Sequence, residues 1–263
     1  MDTSPRPLAL VTGASGGIGA ALARELARHG HDLVLAARGV GAMERLAGEL
    51  REGGAAATVI AADLAKPGAA AALADEIAGR GLAIDIVVNN AGLGAAGRFE
   101  LCDTSRLGEI LQVNIVALTE LTRLFLPGMI ARGHGRVMLV ASVAGFQPGP
   151  HMAAYFASKA YVLSLGEALA YELRGTGVSV TVLCPGATAT NFFTTAGNDN
   201  SIMARHLRQM MPAEAVARLG YRGFARGRRV VVTGRMNWLV AQAGRFMPHR
   251  ITLPVTAWLM RGD

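Results

Sequence analysis

The chain has 263 residues, 51% hydrophobic and 17% charged, with 33 glycines and a net charge of +7. That length is ample for burying a sizeable core, and the composition excludes a disordered chain. The basic balance does not make a nucleic-acid binder: the only lysines are Lys66 and Lys159, the arginines are scattered apart from Arg226, Arg228 and Arg229, and no nucleic-acid motif accompanies them.

An anionic cofactor or a membrane surface explains the positive charge equally well. Met1 to Pro7 lacks the apolar stretch of a secretory signal, and Cys102 and Cys184 give no disulfide framework. A reducing, cytoplasmic location is therefore expected, and no metal site.

The first strand-like run, Leu8–Thr12, leads straight into Gly13-Ala14-Ser15-Gly16-Gly17-Ile18-Gly19 and a helical pattern over Gly17–His29. Gly13 can turn sharply, Gly17 lets backbone N–H groups approach a pyrophosphate, and Gly19 lets the helix pack closely on the sheet. The helix N-terminus adds partial positive charge. Any tight turn uses glycine, but the position between first strand and first helix reads as a dinucleotide site.

The second run, Asp32–Ala36, ends in Ala37-Arg38 without the carboxylate that holds the ribose hydroxyls of NAD. Arg38 can offer its planar fork to a 2′-phosphate, so NADP(H) is expected over NAD(H). A solvated surface arginine is the plainer alternative.

Further along come runs at Thr58–Ala62, Ile84–Asn89, Arg136–Ala141, Val178–Leu183 and Arg229–Thr233, with helical patterns at Met43–Arg51, Ala69–Gly79 and Ser105–Ala131. The runs are continuously hydrophobic rather than alternating, as parallel strands covered on both faces are. Strands alternating with helices imply right-handed crossovers. The expected fold is a single-domain α/β Rossmann fold, a doubly wound seven-stranded parallel sheet with helices on both faces. Cys184, after Val178–Leu183, reads as a buried, inert thiol. Val137–Ser158 and Gly175–Asn198 are long and uncharged, but glycines and prolines interrupt both, so no transmembrane segment is expected.

Ser142 follows the fifth run, with Tyr155 and Lys159 thirteen and seventeen residues later. A Tyr and a Lys four apart share a helix face. A free tyrosine has a pKa of about 10 and is a poor base at neutral pH, but a neighbouring ammonium stabilises its phenolate. Tyr155 could then exchange a proton with a carbonyl or alcohol oxygen that Ser142 holds in place. Taken singly, Tyr155 could be core filler.

Together these residues resemble the short-chain dehydrogenase/reductase (SDR) family in its classical form, from about residue 8 to 234. Thr12-Gly13-x-x-x-Gly17-x-Gly19 corresponds to its cofactor motif, Asn89-Asn90-Ala91-Gly92 to the element after strand four, and Pro185-Gly186-Ala187-Thr188-Ala189-Thr190 to its nicotinamide-side loop. The resemblance implies a catalytic set of Asn114, Ser142, Tyr155 and Lys159, with Asn114 holding a water and Lys159 also bonding the nicotinamide ribose. It implies that Asp63 meets adenine and that Thr188 and Thr190 meet the carboxamide and diphosphate. Ser15, Ile18, Leu64, Asn89, Pro185 and Gly186 complete the implied cofactor contacts. Ser15 stands where some NADP-preferring members carry a basic residue, leaving Arg38 to hold the phosphate largely alone. Phe146-Gln147-Pro148-Gly149-Pro150 and Arg228-Arg229-Val230-Val231-Val232 are similar to the bacterial DltE-like branch and to long-chain ketoacyl reductases.

The implied activity is NADP(H)-dependent hydride transfer to or from a lipophilic ketone or secondary alcohol, by a homodimer or homotetramer. The alternatives are a non-catalytic NADP-binding regulator and a long-chain 3-ketoacyl reductase-like enzyme at a membrane surface. Residues 1–7 read as a tail and 8–234 as the catalytic domain, with a substrate lid at about 191–211. Gln147 and Phe192 should join Ser142 and Tyr155 around the substrate, and Asn198-Asp199-Asn200 should form an exposed, mobile tip. Residues 235–263 read as an apolar, basic extension that packs against a partner subunit, covers the pocket, or makes peripheral contact with a membrane.

Overall fold

The structure, a computed structural model, describes residues 6–198, 201–202 and 211–261. In chain order its strands are β1 (Leu8–Thr12), β2 (Asp32–Ala37), β3 (Ala57–Ala61), β4 (Ile86–Asn89), β5 (Gly135–Val140), β6 (Val178–Cys184), β7 (Thr188–Ala189), β8 (Met211–Pro212) and β9 (Val230–Val232). Seven of them form one parallel sheet in the order β3-β2-β1-β4-β5-β6-β9, and β7 pairs with β8 apart from it. Every strand inferred from a continuous apolar run is there, β1 with the expected bounds and the others shifted by a residue or two at their ends. The largest shift is at β4, where the Asp85 carboxylate accepts a hydrogen bond from Leu8 N at 2.9 Å and the strand starts only at Ile86.

The helices are α1 (Gly17–Arg28), α2 (Val40–Glu52), α3 (Ala69–Gly79), α4 (Thr104–Leu111), α5 (Leu118–Arg132), α6 (Ala153–Glu172), α7 (Phe192–Thr195), α8 (Ala213–Ala225), α9 (Arg235–Phe246) and α10 (His249–Met260). Leu22 and Leu26 of α1, Met43 and Leu46 of α2, and Val216 and Phe224 of α8 bury one face of the sheet. Leu73 and Ile77 of α3, Leu118, Leu121 and Met129 of α5, and Val162 of α6 bury the other. Strands covered on both sides have no polar face to show, which is why their sequences do not alternate. The order reverses between β1 and β4, and ligands bind such sheets beyond the carboxyl ends at that point.

The helical pattern over Ser105–Ala131 is not uniform: α4 and α5 are joined through a π-helical turn, Gln112–Ala117, that carries Asn114. Such wider turns gather at functional sites. By length and composition Thr104–Arg132 could cross a bilayer, but Leu118, Leu121, Leu126 and Met129 are buried in the core.

Candidate active site

A cleft of about 1310 Å³ opens at the carboxyl ends of the strands. Its floor begins at the turn after β1, where Gly13 has φ +67° and donates its N–H to Ala36 O at 2.8 Å. Thr12 Oγ1 accepts hydrogen bonds from Asn90 N and Ala91 N at 3.0 and 3.1 Å, and Asn90 Nδ2 donates to Thr12 O at 2.9 Å. These bonds sew the glycine turn to the loop after β4. Gly19 holds α1 against the same turn: a Cβ there would lie 2.3 Å from Gly13 O.

Gly16 caps α1 without a side-chain hydrogen bond, and no acid occupies the first helical turn. The leading N–H groups are therefore left for an anion, and a glycine-lined cradle below a bare helix N-terminus fits a dinucleotide diphosphate. Ser15, Gly17, Ile18, Arg38, Asp63, Leu64, Pro185, Gly186, Thr188 and Thr190 all line the cleft with Gly13. Thr190 sits over Gly17, whose added Cβ would be 3.1 Å from the threonine methyl.

At the inner end Ser142, Tyr155 and Lys159 converge. Ser142 ends the extended segment after β5, and its Oγ accepts from Ala144 N at 3.1 Å. Tyr155 and Lys159 project from one face of α6. Lys159 is buried, its Nζ donating to Val140 O at 2.9 Å and lying 5.7 Å from the Tyr155 ring centre.

Burial pushes the Tyr155 phenol up to about 12, against the lowering effect of a hydrogen bond with Ser142. It pushes the Lys159 ammonium down to about 8, with only Cys184 opposing. The sequence expectation was the reverse, a phenol eased downward by the lysine. Desolvation of the buried phenol dominates, and the ammonium, bonded to a backbone carbonyl and well back from the ring, is not among the groups that lower it. Cys184 is buried and inert as expected, its thiol pushed up to about 12 by burial.

Residues 7–201 match the profile of the short chain dehydrogenase family. The chain belongs to that family. Among curated relatives, the ketoacyl reductase HetN of a Nostoc species is 35% identical over 189 residues, 71% of this chain and 65% of its own length, just under two thirds. A short-chain dehydrogenase from Sphingobium yanoikuyae, solved with NADPH, is 35% identical with a TM-score of 0.80, covering 91% of this chain and 93% of that one. One from Burkholderia phymatum, solved with NAD, is 28% identical with a TM-score of 0.81, covering 92% and 94%.

Three residues of the expected SDR set stand outside the cleft lining. Gly19 lies beneath the turn as a packing position. The Asn89 side chain turns away and is buried against α5, Nδ2 donating to Thr122 Oγ1 at 2.9 Å, while its neighbour Asn90 lines the cleft. Alternation along a strand decides this, because consecutive side chains point to opposite faces. Asn114 sits one layer behind. Its Oδ1 accepts from Leu93 N at 2.8 Å, and its Nδ2 donates to Leu93 O and Ser158 Oγ, both at 2.9 Å. Its side chain is thus committed to protein groups that fix the loop beside Lys159.

Two features of this SDR go beyond the sequence reading, one of them unread and the other left open among three alternatives. Arg45, in the middle of α2, lines the cleft with Arg38 and has no ion pair among the described residues, whereas Arg24 is held by Glu49 at 2.8 Å. Its only signal is a position seven residues beyond Arg38, about a turn and a half into the helix that follows.

The second feature is the tail. Val240, Thr256, Leu259 and Met260 line the substrate end beside Gln147 and Phe192. Phe192 packs on Tyr155 with ring centres 4.9 Å apart. The α9 helix is seated by Gly244, whose added Cβ would be 2.9 Å from Phe146 O. Of the three expectations for the extension, these contacts correspond to covering the pocket. The expected exposed tip is corrected at Asn198, which is buried with its amide 3.5 Å from the Met152 sulfur; Asp199, Asn200, and the lid positions Met203, Leu207 and Met210 lie outside the described residues.

Proposed function

We propose that the protein is an NADP(H)-dependent carbonyl reductase or alcohol dehydrogenase acting on a lipophilic ketone or secondary alcohol. The observation that carries this reading is the convergence of Ser142, Tyr155 and Lys159 where the glycine-floored cleft meets an apolar wall. When bound, NADPH supplies the hydride. Ser142 holds the carbonyl oxygen, Tyr155 donates its phenolic proton to that oxygen, and Lys159 stabilises the phenolate left behind. Asn114 acts through Leu93 and Ser158 as a positioning residue. Phe192, Met152 and Met260 exclude water and favour an apolar substituent. Screening NADPH consumption against bulky ketones, aldehydes and acyl thioesters tests the reading; turnover of none of them would overturn it.

Arg38, with Arg45 beside it, is the proposed reader of the 2′-phosphate. Arg38→Asp exchanges attraction for repulsion, so the dissociation constant of NADPH should rise by about tenfold or more while that of NADH holds or falls. Fluorescence titration with both cofactors measures this, and an unchanged preference would assign the phosphate to another group.

The pH dependence follows from the buried pair. Reduction needs Tyr155 protonated, which its upward shift secures through the working range, and Lys159 charged, which holds only below about 8. The reductive kcat/KM should therefore be flat through neutrality and fall above about pH 8. A profile still rising there would contradict the assigned roles.

We assign self-association, as a homodimer or homotetramer, to the exposed apolar side chains Leu111, Leu124 and Ile130 along α4 and α5.

A further inference from the structure

The two tail helices are amphipathic in the opposite sense to a helix that faces water. The α9 helix turns Asn237, Ala241 and Gly244 inward and leaves Met236, Trp238, Leu239 and Phe246 exposed, the last at 76%. The α10 helix buries Thr252, Thr256 and Met260 while Ile251, Val255 and Trp258 stay exposed, Trp258 at 60%. Apart from Met260 and the cleft-lining Val240 and Leu259, small and polar residues meet the protein and large apolar ones face out, so the outer surface lacks its partner.

Charge decides between candidate partners. Residues 235–260 contain no Asp or Glu, and Arg235, Arg250 and Arg261 are exposed without an ion pair among the described residues. Arg245 is held by Glu167 at 3.4 Å. A second copy meeting this face about a two-fold axis would bring arginines against arginines, with no carboxylate in the segment to pair them. Tryptophan and phenylalanine on a cationic rim match the interfacial layer of an anionic bilayer instead.

We propose that α9 and α10 form a docking surface for an anionic lipid bilayer, their exposed apolar side chains entering the interfacial layer and Arg235, Arg250 and Arg261 meeting headgroup phosphates. The inner edge of the same helices supplies Val240, Thr256, Leu259 and Met260 to the substrate end of the cleft. Docking therefore brings the bilayer beside the pocket, and if the substrate is lipophilic as proposed above, the membrane is its reservoir.

Vesicle sedimentation tests the docking without reference to turnover. The full chain should pellet with phosphatidylglycerol vesicles, remain in the supernatant with pure phosphatidylcholine, and be released by salt. The double variant Trp238→Glu, Phe246→Glu touches neither cleft nor core and should bind the anionic vesicles more than about tenfold more weakly. Its thermal midpoint, NADPH affinity and oligomer size should be unchanged. Failure of the full chain to pellet, or equal pelleting of the variant, would overturn the proposal. So would a smaller oligomer for the variant in light scattering, which would give the surface to a second copy. Loss of the ketone activity reading would leave these outcomes intact, since none depends on catalysis.

Discussion

Replacing Tyr155 by Phe is expected to lower reductase turnover by about 10²- to 10⁴-fold, the range that general acid catalysis supplies. NADPH affinity should hold within about twofold, because the proton transfer that is lost is made only in the transition state and ground-state binding does not use it. The substitution removes only the hydroxyl. The ring stays packed on Phe192, and Lys159 keeps its bond to Val140 O. Steady-state kinetics with titration of NADPH on the same preparation separate the two effects. Turnover near that of the unaltered enzyme would remove Tyr155 from the chemistry.

The second large effect concerns the backbone rather than the reacting atoms. An alanine methyl at Gly19 would fall 2.3 Å from Gly13 O and 2.5 Å from Asn90 Nδ2. Neither atom can retreat, since Asn90 is bonded to Thr12 O and the Gly13 turn to β2. Gly19→Ala should destabilise the fold by about 1–3 kcal/mol or more, the usual range for overpacking, and spoil the diphosphate cradle. Gly48→Ala is the control. It lies inside α2 with no atom within 4 Å of an added Cβ. The same substitution there should stabilise by about 0.5–1 kcal/mol through helix propensity. Thermal melts of both variants should move in opposite directions; a neutral Gly19→Ala would mean the turn can relax.

The contrast between these glycines marks what could be read from sequence and what could not. The glycine turn, the seven apolar runs and the Ser142, Tyr155 and Lys159 spacing are local patterns, and local patterns carry secondary structure and helix-face neighbours directly. The orientation of Asn89 was not legible, since Val87 and Val88 are both buried on opposite faces of the sheet and alternation alone does not say which face Asn89 joins. Nor was the phenol's upward shift, because desolvation depends on how much protein surrounds a group, which no spacing encodes. The tail's place was equally hidden. Its seat depends on Gly244 meeting Phe146, nearly a hundred residues away in sequence, and its apolar surplus alone fits a pocket lid, a subunit contact or a bilayer.

The central claim is proton donation by Tyr155 coupled to hydride delivery at one carbon. It is tested most directly by a single turnover of a bulky prochiral ketone with NADPH carrying deuterium at its hydride position, using mass spectrometry and chiral chromatography on the product. The account predicts one enantiomer of the alcohol with a single deuterium on the carbinol carbon, formed by the unaltered protein and not by Tyr155→Phe on the same timescale. Alcohol without deuterium, or equal formation by the variant, would contradict it.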